Sequence, residues 1–120
     1  MSQSKLPIST VLIHVNDPKA GLAWYQSAFP KAKKRKTTEF DFEYLDYDGV
    51  MIEVVAVDDK VGSGTAGSVV YWQTDDFQKR VEFLLSLGAT LYRGPMIIEN
   101  GMKMCQLKDL WGNCIGIKGQ

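Results

Sequence analysis

The chain has 120 residues, enough for one compact domain with its own core but few for two independent ones. Its 14 Lys and Arg residues balance its 14 Asp and Glu residues, which excludes a strong overall attraction to nucleic acid or to an anionic membrane. No apolar run approaches the ~20 residues that span a bilayer, and residues 1–10, MSQSKLPIST, lack the hydrophobic core of a secretion signal. We therefore expect a cytoplasmic protein that binds neither nucleic acid nor membrane.

The first part of the chain predicts a strand followed by a helix. Residues 8–15, ISTVLIHV, are largely β-branched or apolar, as is typical of a strand. Asp17 and Pro18 favour a helix start, because Asp caps the free N–H groups of a first turn and Pro fits that turn. Pro30 ends the predicted helix. Its apolar face consists of Leu22, Trp24, Tyr25 and Phe29.

A hairpin is predicted after this helix. Residues 37–47 and 50–57 have strand composition, and Asp48-Gly49 between them is typical of a tight hairpin turn. Residues 31–36, KAKKRK, have the composition of a nucleic-acid signal, but they lie between a helix and a strand in a chain without net charge. We therefore interpret this basic run as a solvated loop, with attraction of an anionic substrate as a lesser alternative.

The same order of elements follows a polar, glycine-rich segment, residues 58–67, which predicts a linker. Residues 68–74 predict a strand, Asp75-Asp76 begins a helix, and Gly88 ends that helix as a C-cap. The apolar face of this helix is expected to consist of Phe77, Val81, Leu84 and Leu85. The last predicted strands are TLYRG, GMKMCQLKD and NCIGIK.

The two halves of the chain align with each other. Asp17 matches Asp76 at the start of each predicted helix, and Gly49 matches Gly112 near the end of each half. Each half is too small to bury its own apolar face, so we expect the two to pack together. The predicted organisation is a single domain, 1–120, with module one at about 6–57, the linker at 58–67 and module two at 68–119.

Cysteine and histidine usage argues against redox and transition-metal chemistry. Cys105 and Cys114 have no C-x-x-C spacing and no neighbouring His, so we expect two reduced, half-buried thiols. His14 is the single histidine, whereas zinc, nickel and iron enzymes usually bind their metal through two or more imidazoles.

Four stretches together resemble the vicinal oxygen chelate superfamily, which comprises glyoxalase I, bleomycin-resistance proteins, fosfomycin-resistance proteins and extradiol dioxygenases. The stretches are VLIHVNDPKAGLAWYQSAF, VMIEVV, VYWQTDDFQKRVEFLLSLGAT and DLWGNCIGIKG. They cover nearly the whole chain in the order of two βαβββ modules. The resemblance implies an α+β fold in which the curved sheets of the two modules form a cleft, usually in a homodimer.

The resemblance also implies where a metal would be held. Metal-dependent members use one side chain from the first strand and one from the last strand of each module. By position these fall on Thr10, Glu53, Val69 and Gly116. Glu53 is a competent ligand, Thr10 is a weak neutral oxygen, and the other two offer no donor atom. We therefore expect no metal and no cofactor.

Strand alternation predicts which side chains face the cleft and which pack on the helices. The predicted cavity is apolar and aromatic with a few polar groups, which is typical of a small-molecule pocket. Trp111 is interpreted as an aromatic anchor of its turn, or as a surface on which a planar ligand stacks. The predicted ligand-binding residues are Leu12, His14, Met51, Glu53, Tyr71, Gln73, Trp111 and Cys114.

Three functional hypotheses remain open. The leading one is metal-independent binding of a small hydrophobic or aromatic molecule, for sequestration or resistance, since binding needs no catalytic residue. The alternative is a glyoxalase-like lyase or isomerase with Glu53 as general base and His14 or Tyr71 as acid. Without a metal, that chemistry lacks its main electrophilic stabilisation. A protein-interaction module has the least support.

Each of the two candidate catalytic residues also has a structural interpretation. Glu53 could be satisfied by a tyrosine or by a backbone donor, since buried polar groups are usually hydrogen-bonded. His14 is a lone histidine on a strand, and such residues are more often packed in a core than catalytic.

Overall fold

The structure, a computed structural model, describes residues 6–120 and contains two four-stranded sheets, ordered β1-β4-β3-β2 and β5-β8-β7-β6. The elements are β1 Thr10–Val15, α1 Pro18–Ala28, β2 Lys33–Lys36, β3 Glu43–Tyr47, β4 Val50–Ala56, β5 Tyr71–Thr74, α2 Phe77–Ser86, β6 Thr90–Ile97, β7 Lys103–Lys108 and β8 Cys114–Gly119. Each sheet combines one parallel strand pair with antiparallel pairs. The predicted α+β fold of two βαβββ units is confirmed.

The chain divides into two compact units between Gly62 and Ser63. We call them the first unit and the second unit. The division falls inside the glycine-rich segment 58–67. Within residues 6–120 no helix is long and apolar enough to cross a membrane.

In the first unit, α1 packs closely on one face of the sheet. The helix starts as predicted, with the Asp17 carboxylate accepting a hydrogen bond from the Ala20 N–H at 3.2 Å. A Cβ atom on Gly21 would lie 2.7 Å from Cγ1 of Val54, so glycine permits this approach. The buried aromatic residues of this face are Trp24, Tyr25 and Phe29.

The hairpin between β3 and β4 has the predicted turn. Asp48 and Gly49 both have positive φ, 51° and 94°, as a tight two-residue hairpin turn requires. The Gly49 N–H donates to the Asp46 carboxylate at 3.0 Å. This bond and the neighbouring Arg35 hold the pKa of Asp46 below its usual value.

The prediction of a loop at 31–36 is wrong in part, because Lys33–Lys36 forms β2, an exposed edge strand of the first sheet. Its side chains show no apolar alternation, so the pattern does not predict a strand. Pairing with β3 holds the segment extended, and a row of charges protects the open edge of a sheet from pairing with other chains. Its ion pairs are Lys34–Glu43 at 3.5 Å, Arg35–Asp46 at 2.9 Å and Lys36–Asp41 at 2.7 Å.

In the second unit, α2 packs against β8. The Asp76 carboxylate caps this helix by accepting from the Lys79 N–H at 3.2 Å. Phe77, Val81 and Leu84 are buried as predicted, but the placement of Leu85 on that face is wrong, since its side chain is 41% exposed. Leu85 lies about 100° further round the helix than Leu84, which turns it toward solvent.

Candidate ligand-binding site

In each unit, strand side chains alternate between the face covered by the helix and the opposite face, which we call the helix-free face. Ile52 and Val54 of β4 are buried on the helix side, while the residues between them are only half-buried. The parallel pairing of β1 with β4 sets Leu12 beside Glu53. The helix-free face of the first unit carries Leu12, His14, Met51 and Glu53, all four of which were predicted to bind ligand.

Glu53 is half-buried on this face. Across from it, Leu12 is 51% exposed, and beside it the Thr10 hydroxyl contacts the Met51 sulfur at 4.0 Å. Within residues 6–120 the Glu53 carboxylate has neither a hydrogen-bond donor nor an ion-pair partner. No tyrosine or backbone N–H in that range therefore satisfies it.

His14 lies two positions further along β1, in register with Val55. Asp58, which follows β4, lies near it. The pKa of Asp58 is lowered chiefly by hydrogen bonds from the N–H groups of Val61 and Lys60, at 2.8 and 2.9 Å, with a smaller contribution from His14. His14 therefore borders an acidic turn at the end of its strand.

The four positions that the resemblance implies for a metal do not fit one. Val69 and Gly116 carry no donor atom. Gly116 also has no room for a side chain, because a Cβ atom there would lie 2.6 to 2.8 Å from ring atoms of Tyr71. Among the described residues, no group of three or more His, Cys, Asp or Glu side chains is arranged to hold a metal ion.

In the second unit, a row of paired residues crosses all four strands. Tyr71 pairs with Gly116, Gly116 with Gln106, and Gln106 with Arg93. Ile115 and Ile117, the neighbours of Gly116 on β8, are buried on the helix side, so the row lies on the helix-free face.

A hydrogen-bonded chain joins two residues of this row to Cys114 in the neighbouring row. The Gln106 side-chain amide donates to the Tyr71 hydroxyl oxygen at 2.7 Å, and the Cys114 thiol donates to the Gln106 carbonyl oxygen at 3.4 Å. Burial raises the pKa of Cys114, while the nearby charges of Arg93 and Lys108 oppose that rise. Sequence reasoning missed Gln106; its alternation with buried Cys105 and Leu107 on β7 is the signal that could have placed it.

The two remaining predicted residues of the second unit lie outside this chain. Gln73 is exposed on β5, in register with Lys118. Trp111 is half-buried in the turn between β7 and β8, and its backbone N–H donates to the Asp109 carboxylate at 2.8 Å. Asp109 is buried, 5% exposed, and also accepts from the N–H and side-chain amide of Asn113 at 2.9 and 3.1 Å. It organises the turn, a role that sequence reasoning missed.

The first unit also has a concavity that the sequence did not predict. It lies on the helix side of the sheet, between α1 and the β2–β3 strands, and has a volume of about 540 Å³. Leu22 and Val54 contribute apolar surface, and the Lys34–Glu43 ion pair lies at its border. None of the predicted ligand-binding residues lines it.

Comparison with solved structures shows that the chain has the vicinal oxygen chelate fold. One match is the crystal structure of a glyoxalase/bleomycin resistance protein/dioxygenase family enzyme from Burkholderia phytofirmans. Its TM-score is 0.75 at 21% identity, over 92% of this chain and 96% of that chain. A superfamily member from Sphaerobacter thermophilus gives 0.73 at 16% identity, over 96% and 98% of the two chains.

The fosfomycin resistance protein FosX from Listeria monocytogenes is a third match, with a TM-score of 0.74 at 14% identity over 94% of this chain and 90% of that one. No family model matches the sequence, and no curated protein matches it significantly. At these identities the comparisons establish the fold, and the chemistry has to be argued from the side chains of this chain.

Proposed function

We propose that this protein binds a small hydrophobic or aromatic molecule on the helix-free faces of its sheets, without a metal, as a sequestration or resistance protein. The observation that carries the proposal is Glu53, a half-buried residue whose carboxylate has no hydrogen-bond partner in residues 6–120. The Glu53 oxygens reach solvent, and a ligand donor that meets them forms a hydrogen bond to a charged group, worth about 1.5–3 kcal/mol. Leu12 and Met51 supply apolar surface next to it.

A fragment screen followed by one pair of variants tests this proposal. Thermal-shift and NMR screening of neutral and aromatic fragments should yield ligands that perturb residues around Glu53. Glu53→Gln should then weaken their binding about tenfold or more, since hydrogen bonds to a charged group are strong. The matched control is Glu82→Gln, because Glu82 is exposed on α2. Equal affinities for wild type and Glu53→Gln would remove Glu53 from the site.

The same free carboxylate supports the alternative, a glyoxalase-like lyase or isomerase with Glu53 as general base. The two proposals differ in what Glu53→Gln does. If Glu53 moves a proton, the variant should lose turnover while it still binds ligand. Stoichiometric zinc, nickel or iron in the purified protein would contradict the metal-free proposal.

The proposal includes a homodimer and a cytoplasmic location. The dimer is supported by β6, an edge strand whose side chains are all exposed and include Leu91, Met96 and Ile97. Light scattering across a dilution series tests it, and a monomer at micromolar concentration would contradict it. Cys105 and Cys114 are both free thiols.

A further inference from the structure

The helix-free face of the second unit carries positive charge without negative charge. Strand register aligns three rows of side chains on it. The rows are Cys114, Lys108 and Thr90; Tyr71, Gly116, Gln106 and Arg93; and Gln73, Lys118, Met104 and Met96. They contain three cations, Arg93, Lys108 and Lys118, and no carboxylate.

These cations are not neutralised within the part of the chain that the structure describes. Arg93, Lys108 and Lys118 form no ion pair there, whereas three of the four basic residues of β2 do. Lys108 stacks its ammonium group 4.7 Å from the centre of the Tyr92 ring, a contact that leaves its charge in place. The face therefore keeps a positive potential available to a ligand.

A directed hydrogen-bond donor lies among these cations. The Tyr71 oxygen accepts from Gln106, and Gln106 in turn accepts from the Cys114 thiol. The Tyr71 O–H itself has no acceptor among residues 6–120. Because burial raises the pKa of Cys114, the thiol stays protonated at neutral pH and adds no negative charge. The ring of Tyr71 is held in place on Gly116, so the donor is preorganised.

We propose that this face binds the anionic oxygen group, carboxylate or phosphate, of a small aromatic ligand. Arg93 and Lys108 supply the charge and Tyr71 donates the hydrogen bond, while Met96, Met104 and Tyr92 offer apolar surface to the rest of the molecule. The inference rests on the proposed function, small-molecule binding, and deepens it by naming the ligand class.

Alkylation of Cys114 measures the local potential without any knowledge of the ligand. Iodoacetate and iodoacetamide both react with the thiolate, which forms a carbon–sulfur bond and displaces iodide. The pKa of the thiol therefore cancels in the ratio of the two rates at one pH. Peptide mass spectrometry follows Cys114, and Cys105, which is 1% exposed, is the internal control for unfolding.

The anionic reagent should be favoured at Cys114 relative to N-acetylcysteine amide. Arg93→Gln and Lys108→Gln should each lower the rate ratio about two- to fivefold, the range of partly exposed charge interactions. Lys79→Gln, on the exposed side of α2, is the matched control and should leave the ratio unchanged. A wild-type ratio equal to that of the free thiol would overturn the inference.

Binding of three matched probes then tests the ligand class. Benzoate, phenylphosphonate and the neutral benzamide are titrated by NMR, and a preference for one of the two anions distinguishes carboxylate from phosphate chemistry. The preferred anion should bind more tightly than benzamide, and Arg93→Gln or Tyr71→Phe should weaken it about three- to tenfold. Equal binding of anion and amide, or no binding of either anion, overturns the inference. The proposed function is tested separately, by the binding of neutral fragments and by Glu53→Gln.

Discussion

The two units share one topology and differ in the chemistry of their helix-free faces. Each sheet has its first strand parallel to its last, and each hairpin follows in the same order. At the equivalent register position, however, the first unit pairs Leu12 with Glu53, and the second pairs Tyr71 with Gly116. The first face thus presents a carboxylate, and the second presents a tyrosine hydroxyl among cations. The buried positions, which both units share, determine the topology. The residues of the helix-free face can therefore differ between the units without a change of fold.

The edge strands β2 and β6 of the two sheets also differ in the chemistry of their side chains. β2 is basic and forms ion pairs with β3 and the loop before it, while β6 exposes apolar side chains such as Ile97, which is 76% exposed. Charges on an edge strand oppose pairing with other chains, and apolar side chains favour it. Of these two edge strands, β6 is therefore the better suited to association with another chain.

The largest expected effect comes from replacing the Tyr71–Gly116 pair of the second unit with the Leu–Glu pair of the first unit. Gly116→Glu should lower the free energy of unfolding by about 3 kcal/mol, because the new side chain displaces the Tyr71 ring. The double variant Tyr71→Leu with Gly116→Glu recreates the Leu12–Glu53 pair of the first unit and should recover about half of that loss. Urea denaturation followed by circular dichroism measures both. A double variant no more stable than Gly116→Glu would show that the clash with Tyr71 is not the cause.

The turn aspartates offer a smaller contrast between the units. Asp46 lies one residue before the end of β3, and Asp109 directly follows β7. Asp46 accepts one backbone N–H of its turn and Asp109 accepts two, but Asp109 is buried and Asp46 is partly exposed. Asp109→Ala should cost about 2 kcal/mol, since it removes the buried acceptor of two partly buried N–H groups. Asp46→Ala should cost less than about 1 kcal/mol, since water replaces the lost acceptor. Similar losses in the two variants would contradict the role of burial.

Alkaline pH should weaken the folded state through Cys105. Burial raises the pKa of this thiol from 9.0 to about 11. The unfolded thiol ionises near pH 9 and the folded one keeps its proton until about pH 11, so the free energy of unfolding falls across this interval and is level below it. The fall should amount to at most about 2 kcal/mol. Urea denaturation at several pH values should show a shallower fall for Cys105→Ala, and parallel curves would exclude the thiol as the cause.

The sequence was sufficient for the helix starts, the turn between β3 and β4 and the buried positions of β4, because caps, turn residues and alternation leave direct patterns. The predicted strand 37–47 is too long, since β3 begins only at Glu43. It was insufficient for β2, whose extended form depends on pairing with β3 and whose charges carry no apolar pattern. Arg93 was missed because register shifts on both sides of it interrupt the alternation of β6. Asp109 was missed because burial of a turn carboxylate depends on tertiary packing.

The smallest expected change in the free energy of unfolding concerns one position at which the two helices differ. Gly21 of α1 lies against Val15 and Val54, whereas α2 has Arg80 at the equivalent place. Helix propensity alone predicts that Gly21→Ala stabilises by about 1 kcal/mol. The contact geometry predicts the opposite sign, a loss of about 1 kcal/mol, since the added methyl group overlaps two valine side chains.

A second substitution separates these two effects. Gly21→Ala combined with Val54→Ala removes the closest overlap, so Gly21→Ala should be less costly in that background than in the wild type. Ala23→Gly, at an exposed position of the same helix, reports propensity alone and should cost about 1 kcal/mol. If Gly21→Ala stabilises the wild-type protein, then α1 does not need its close approach to the sheet. Packing against the sheet would then not explain why α1 has Gly21 where α2 has Arg80.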